Sequence, residues 1–219
     1  MKRFFTLSIF CLVMSSLFAQ DFFEGSITYQ YSYQSLYKFI TTDYIQKTFP
    51  LGERKTYKGS KILVETWYKE RTDTLKTIYD LDKQKAFTID PQSDTIRQTP
   101  INQPPGRLLQ KEKVSMTKEV MGKKCAAVHL AYIVDMYRGK KVEAVYYYAP
   151  SLALNPVQYQ GFQVDYMNLY AEMTGAIPLA SSMSIEKLYR VDGVATDIQQ
   201  KEVADTVFAL PEGKVMYPR

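Results

Sequence analysis

Apolar and polar residues alternate along much of this chain, and the clearest example is Gly25–Ser35, GSITYQYSYQS. A β-strand directs successive side chains to opposite faces. One face of this strand would carry Ile27, Tyr29, Tyr31 and Tyr33, and the other would carry small polar residues. The pattern predicts a strand whose row of tyrosines faces a core, a ligand cavity or a partner surface.

Similar short stretches, separated by turn-forming residues, recur along the chain. They predict further strands at Thr42–Phe49, Lys61–Lys69, Thr74–Tyr79, Lys85–Ile89, Thr95–Gln98, Lys113–Val120, Cys125–Tyr137 and Lys141–Ala149. The pair Asp192-Gly193 stands between two strand-like runs and predicts a hairpin with arms Ser182–Val191 and Val194–Glu202. Such regular spacing indicates a meandering antiparallel sheet.

Two segments depart from this pattern. Thr99–Gln110 contains three prolines and a glycine, which disfavour a regular ladder, and it predicts a Pro-rich loop at 99–110. Near residues 155–173 the apolar side chains recur at helical spacing, which predicts one or two short helices inserted between strands. Asn155-Pro156 resembles a helix start, and Gly175 resembles a stop.

The first residues have the pattern of a secretory signal peptide. Lys2 and Arg3 precede the apolar run Phe4–Met14, and Ala19 offers a small residue for cleavage. We therefore expect a signal peptide at 1–19 and a single exported β-rich domain at 20–219. Cleavage lowers the basic residues from 28 to 26 against 23 acidic ones, a net charge of +3. This interspersed charge does not favour a nucleic-acid partner, and no transmembrane segment is expected in the mature chain.

Residues that could carry catalysis are scarce. Cys125 and His129 are the only cysteine and histidine after the predicted cleavage site. Four residues along a strand span about 13 Å, too far for a thiolate–imidazole pair. No nucleophile elbow and no phosphate-binding loop occurs. The sequence therefore predicts no enzyme, catalytic residue, metal or cofactor. A carboxylate enzyme stays open as a minor alternative, which clustered carboxylates with perturbed pKa values in a cleft would favour.

Aromatic residues make up 14% of the chain, with 18 tyrosines and 11 phenylalanines. Tyrosine has an apolar body and a polar tip and suits half-wet surfaces, although aromatic residues also favour strands in general. A cavity lined by aromatic side chains and an ordinary core therefore both remain open. The candidate residues for a ligand cavity are Tyr29, Tyr31, Tyr33, Tyr146, Tyr148, Phe162 and Tyr166.

Several segments, taken in order, resemble the GLPGLI-type family of exported Gram-negative envelope proteins. They are FEGSITYQYS, YKGSKILVE, YDLDKQKAFTID, MGKKCAAVHLAY, VYYYAPSLALNP, TGAIPLASSMSIE and DTVFALPEGK. In place of the naming motif the chain has Thr174–Leu179, TGAIPL, so a sister family also stays open. The resemblance implies a LolA/LolB-like half-barrel, a strongly curved antiparallel sheet wrapped around one or two short helices. It also implies a location in the periplasm or at the outer-membrane periphery, and it brings no catalytic residues.

Two functions fit these expectations. The first is a non-catalytic binding module that holds a lipid or other apolar small molecule on the concave sheet face. It predicts a sizeable cavity between the sheet and residues 155–173. The alternative is a structural component of the envelope that binds a protein partner and no small ligand.

Overall fold

The computed structural model describes residues 22–135 and 139–218, which form one curled sheet of 12 strands with two short α-helices. The predicted signal peptide at 1–19 lies outside the described residues. The strands are β1 (Gly25–Ser35), β2 (Gly52–Lys58), β3 (Lys61–Trp67), β4 (Leu75–Asp80), β5 (Lys85–Ile89), β6 (Thr95–Pro100), β7 (Gly106–Val120), β8 (Lys123–Val134), β9 (Lys140–Ala153), β10 (Ala176–Ile185), β11 (Tyr189–Gln200) and β12 (Val215–Pro218). The helices are α1 (Thr42–Thr48) and α2 (Met167–Thr174), with 3-10 turns at Val164–Tyr166 and Asp205–Phe208. The predicted mainly β fold class is confirmed.

Two antiparallel meanders meet in the middle of the sheet. The strand order is β12-β6-β5-β4-β3-β2-β1-β11-β10-β9-β8-β7, so β1 pairs with β2 on one side and with β11 on the other. All described pairs are antiparallel except β12 with β6. Register shifts in β1, β7 and β10 mark bulges, which bend strands and increase their twist.

The connection between β6 and β7 explains why the sheet curls. β7 is one edge of the sheet, and β6 lies next to the other edge, yet only residues 101–105 join them. Six residue steps span at most about 20 Å, so the two sides of the sheet must approach each other. The backbone N–H of Gln163 donates to the carbonyl of Ile101 at 2.8 Å, and the Tyr166 hydroxyl donates to the carbonyl of Gly106 at 2.7 Å. The helical segment therefore ties this connection in place.

The loop predicted at 99–110 is shorter in the structure, where only residues 101–105 lie between β6 and β7. Pro100 is the last residue of β6 and pairs with Lys85 of β5. Proline has no backbone N–H, but no hydrogen bond to β12 is lost at this position, because β12 pairs with β6 only as far as Gln98. Gly106 already begins β7, and a Cβ there would lie 1.9 Å from the Ile133 carbonyl oxygen. Close backbone approach, rather than a turn, accounts for this glycine.

The prediction of a strand at Thr42–Phe49 was wrong, because this segment forms helix α1. The Thr41 hydroxyl oxygen accepts a hydrogen bond from the Tyr44 backbone N–H at 3.1 Å, a side-chain N-cap. Asp43 and Lys47, one turn apart, pair at 3.3 Å, and Ile45 is buried against the sheet. The cap and the helical pairing outweigh the strand propensity of the threonines.

The hairpin predicted at Asp192-Gly193 was also wrong. Both residues lie inside β11, where Gly193 pairs with Tyr31 of β1 and with Ser181 of β10. The turn lies five residues earlier, at 186–188, where Lys187 adopts a positive φ of 58°. A three-residue hairpin loop with one left-handed residue is a common alternative to the two-residue turn.

The helical insert occupies only part of 155–173. Residues 156–161 form turns, and the 3-10 turn that precedes α2 contains two residues with positive φ, Asp165 (48°) and Tyr166 (58°). Helix α2 ends at Gly175 with φ 57°, as the sequence predicted.

The sheet packs on both faces. The inner face holds the main core together with α2, whereas a second cluster lies on the outer face of β3–β6. The C-terminal segment covers this second cluster with Val203 and Phe208, and Lys58 holds it through an ion pair with Asp205 at 2.9 Å. None of the helices in the described ranges has the length and hydropathy needed to cross a membrane.

Candidate binding cavity

A cavity of about 440 Å³ opens between the inner face of the sheet and the segment that contains α2. β1–β4 form one wall, β9 and β10 form another, and residues 154–167 close the space from the opposite side. Its aromatic lining residues are Tyr29, Tyr31, Tyr33, Phe49, Tyr57, Tyr79, Tyr146, Tyr159 and Phe162. Aliphatic lining residues include Ile62, Val64, Leu154, Ile177 and Ala180.

The row of tyrosines on β1 contributes to this cavity. The Tyr29 hydroxyl donates to the carbonyl of Pro178 at 2.8 Å, and the Tyr33 hydroxyl donates to the carbonyl of Pro50 at 2.7 Å. The Tyr31 hydroxyl donates to the Glu53 carboxylate. Because each hydroxyl is bound within the protein, the rings are fixed and supply apolar surface to the cavity.

Five of the seven candidate residues line the cavity, because Tyr146 and Phe162 join the three tyrosines of β1. Tyr148 and Tyr166 do not. Tyr148 is buried in the core beside Pro178 and Ala126 of the neighbouring strands. Tyr166 packs edge-on against Tyr132 with ring centroids 5.1 Å apart.

A polar group in the cavity wall was missed by the sequence analysis. Lys55 and Glu53 of β2 face the cavity, and the Lys55 ammonium lies 2.8 Å from the Glu53 carboxylate. The same ammonium lies 5.5 Å from the centre of the Tyr29 ring, within reach of a cation–π contact. The signal was present in GERKTYK, where Glu53, Lys55 and Tyr57 alternate with residues that point outward.

The electrostatics keep this lysine charged. Burial lowers the pKa of Lys55, but the attraction and hydrogen bond of Glu53 outweigh burial, and the pKa stands above its ordinary value. Loss of hydration raises the pKa of Tyr79 to about 12 and raises the pKa of Tyr31 further still, with Glu53 adding to the latter shift. These phenols are therefore neutral at physiological pH.

Asp165 is the second carboxyl group of the cavity. It is exposed to the cavity but enclosed by the surrounding walls, and the Tyr132 hydroxyl donates to it over 3.4 Å. Loss of hydration raises the pKa of Asp165, although the Tyr132 hydrogen bond and the Lys55 charge oppose the shift. It lies within the 3-10 turn that precedes α2, in a left-handed backbone conformation that Asp adopts more readily than most residues.

Cys125 and His129 have separate surroundings. Cys125 is buried in the core, where its thiol donates to the Lys123 carbonyl over 3.5 Å and burial raises the pKa of the thiol. The His129 imidazole lies 3.6 Å from Glu112 of the edge strand. Within 22–135 and 139–218, no group of three or more His, Cys, Asp or Glu residues is arranged to hold a metal ion.

Solved structures that are similar to this chain include the following three. Two are crystal forms of PNGF-II, in space groups C2 and P21, with sequence identities of 12% and 14% and a TM-score of 0.45 each. They cover 89% and 90% of this chain but only 30% and 32% of PNGF-II, so the chain spans about a third of that protein. The third is a LolA superfamily protein from Nitrosomonas europaea, with 10% identity, a TM-score of 0.41, and coverage of 88% of this chain and 92% of that one. Neither protein-family models nor curated protein sequences give a match.

Proposed function

We propose that this protein is an exported, non-catalytic binding module of the cell envelope that holds one lipid-like or other apolar molecule in its cavity. The observation that carries this proposal is the space of about 440 Å³ lined chiefly by aromatic and aliphatic side chains. Small-molecule sites in proteins measure about 300–1,000 Å³ and have a mostly apolar lining with a few fixed polar groups. This cavity falls at the lower end of that range, so it suits a single molecule of modest size.

The arrangement of the lining supports an amphipathic guest. The fixed rings of Tyr29, Tyr31 and Tyr33 offer apolar surface, whereas Glu53, Lys55 and Asp165 offer charge. A wholly apolar ligand would leave those charges facing hydrocarbon, which is costly. A ligand with an apolar body and a polar end satisfies both parts of the wall.

The location in the envelope depends on the sequence. The predicted signal peptide at 1–19 and the resemblance to the GLPGLI-type family both support export to the periplasm or the outer-membrane periphery.

A second candidate is a protein-interaction component of the envelope. The segment after β1 exposes large apolar side chains, and the Tyr37 and Phe39 rings contact each other with centroids 5.5 Å apart. Leu36 and Tyr44 are exposed nearby in the sequence. Clustered exposed aromatic residues are typical of partner-binding surfaces.

One observation favours the alternative of an enzyme that uses a pair of carboxyl groups, and another argues against it. Glu53 and Asp165 line the same cavity, and the pKa of Asp165 is raised. Glu53, however, is already bound by Lys55 and by the Tyr31 hydroxyl. Acid–base hydrolysis by a carboxyl pair needs both groups available to the substrate, so the binding module is the better reading.

The test is native mass spectrometry of the protein purified from its own envelope, followed by organic extraction and lipid analysis. Tyr146→Leu and Tyr148→Leu form a matched pair, because both tyrosines are buried on β9 but only Tyr146 lines the cavity. We expect a stoichiometric ligand in the wild type and in Tyr148→Leu, and a reduced amount in Tyr146→Leu. A wild-type protein that is empty, and stays empty after incubation with envelope lipids, would overturn the proposal and favour a protein partner, to be sought by crosslinking.

A further inference from the structure

Two carboxyl groups, those of Glu53 and Asp165, line the cavity together with one lysine, Lys55. The excess negative charge belongs to Asp165. Lys55 is the lysine of the cavity wall, and its ammonium is committed to Glu53 at 2.8 Å. No lysine or arginine among residues 22–135 and 139–218 forms an ion pair with Asp165, whose hydrogen-bond donor is the Tyr132 hydroxyl at 3.4 Å. The Asp165 carboxyl therefore faces the ligand space without a cation of its own.

Aromatic rings line the same cavity as this carboxyl. Phe162 stands three residues before Asp165, and its ring centroid lies 5.0 Å from that of Tyr79 and 5.9 Å from that of Tyr159. Tyr146 lines the space as well, and the negative charge of Asp165 contributes to the raised pKa of its phenol. Faces of aromatic rings attract cations, and aromatic cages with a nearby carboxylate recognise ammonium groups.

We propose that the ligand carries a cationic head, an amine or a quaternary ammonium, that binds beside Asp165 among these rings. This inference rests on the proposed function, because it names the chemical class of the molecule held in the cavity. The apolar body of the ligand lies against the tyrosines of β1, and the head replaces the cation that Asp165 lacks.

The ionisation of Asp165 is consistent with this assignment. In the empty cavity, loss of hydration raises the pKa of Asp165, and the positive charge of Lys55 only partly opposes the shift. A bound cation adds a favourable charge next to the carboxylate and lowers that pKa again. Glu53 faces the same space, but its charge is balanced by Lys55 at contact distance.

Three probes with the same chain and different heads test the proposal: decyltrimethylammonium, decanol and decanoate. Their binding to the delipidated protein is measured by calorimetry at pH 7, below the critical micelle concentrations of the two ionic probes and below the solubility limit of decanol. We expect decyltrimethylammonium to bind about tenfold more tightly than decanol, and decanoate to bind most weakly. Asp165→Asn should remove the advantage of the ammonium probe over decanol.

The variant and its control are chosen so that folding does not confuse the result. Asn adopts the left-handed conformation of residue 165 at least as easily as Asp does. Asp197→Asn on β11, which does not line the cavity, is the matched control and should bind all three probes as the wild type does. Tighter binding of decanoate, equal binding of all probes, or an unchanged preference in Asp165→Asn would overturn the inference alone. If no probe binds the wild type, the proposed function fails, and the inference fails with it.

Discussion

The ring of Tyr31 occupies the space that a side chain at Gly193 would need. The two residues pair across β1 and β11, and a Cβ built on Gly193 would lie 2.7 Å from Cε1 of Tyr31. It would also lie 3.0 Å from the hydroxyl oxygen of Ser181 on β10, the other neighbour of β11. The missing side chain therefore lets Tyr31 lie flat across the strand with its hydroxyl on Glu53.

Gly193→Ala should displace Tyr31 and weaken ligand retention. The added methyl must push the ring away, because the ring edge and not a flexible chain end is in its path. We expect a loss of about 1–3 kcal/mol in the free energy of unfolding, measured by urea denaturation, as for other overpacked sites. In the double variant Gly193→Ala, Tyr31→Ala the effects should be far from additive, since the second change removes the clash. Additive effects would mean that Gly193 does not position Tyr31.

The same contact explains why the hairpin at Asp192-Gly193 was predicted wrongly. An Asp-Gly pair is a strong turn signal because glycine tolerates positive φ. At this position the glycine is required for space beneath a ring of another strand, and that requirement is invisible without the register of β1 against β11. The actual turn uses Lys187, a residue with no turn propensity of note.

Other parts of the fold could be predicted from the local sequence pattern alone. Alternation in GSITYQYSYQS gave β1 with its bounds, and Gly175 marked the end of α2. The charged residues of the cavity were not recognised, because Lys55 and Asp165 come from β2 and from the turn before α2, over 100 residues apart in sequence. Only the curl of the sheet brings such segments to one space.

Two tyrosines should respond in opposite ways to loss of the hydroxyl group. The Tyr170 hydroxyl is buried and makes no hydrogen bond of ordinary geometry within the described part of the chain, whereas the Tyr29 hydroxyl donates to the Pro178 carbonyl at 2.8 Å. Tyr170→Phe removes an unsatisfied polar group and should leave stability unchanged or raise it by about 1 kcal/mol. Tyr29→Phe removes this hydrogen bond to the Pro178 carbonyl and should lower stability by about 0.5–1.5 kcal/mol. Thermal and urea unfolding of the two variants provide the measurement, and equal losses would contradict it.

Asp165 should make the empty protein less stable as the pH rises. Its folded-state pKa is raised above the unfolded value of about 3.9, so the native state holds the proton more tightly. Stability from this group is complete below the unfolded pKa and is lost as the pH rises through the raised folded pKa. Asp165→Asn, which does not titrate, should therefore be more stable than the wild type at pH 7, and the difference should shrink towards pH 3.5.

The contribution of Asp165 is obtained from the difference in unfolding free energy between the wild type and Asp165→Asn, because other carboxyl groups also titrate in this range. The Arg71 hydrogen bonds, for example, lower the pKa values of Asp73 and Asp90, which destabilises both proteins equally on acidification. Unfolding free energies of the wild type and Asp165→Asn at several pH values check the prediction. A difference that does not vary with pH would show that Asp165 is not the titrating group.

A larger side chain that fills the cavity should abolish ligand binding without lowering the free energy of unfolding. Ala180 of β10 is buried and lines the cavity, whereas Ala149 of β9 is buried in the core and does not. In Ala180→Leu the larger side chain enters open space, so we expect little change in unfolding free energy and loss of the retained ligand. In Ala149→Leu the same enlargement meets packed atoms and should cost about 1–3 kcal/mol. Native mass spectrometry and urea unfolding of both variants measure the two effects, and ligand retained in full by Ala180→Leu would place the ligand elsewhere on the protein.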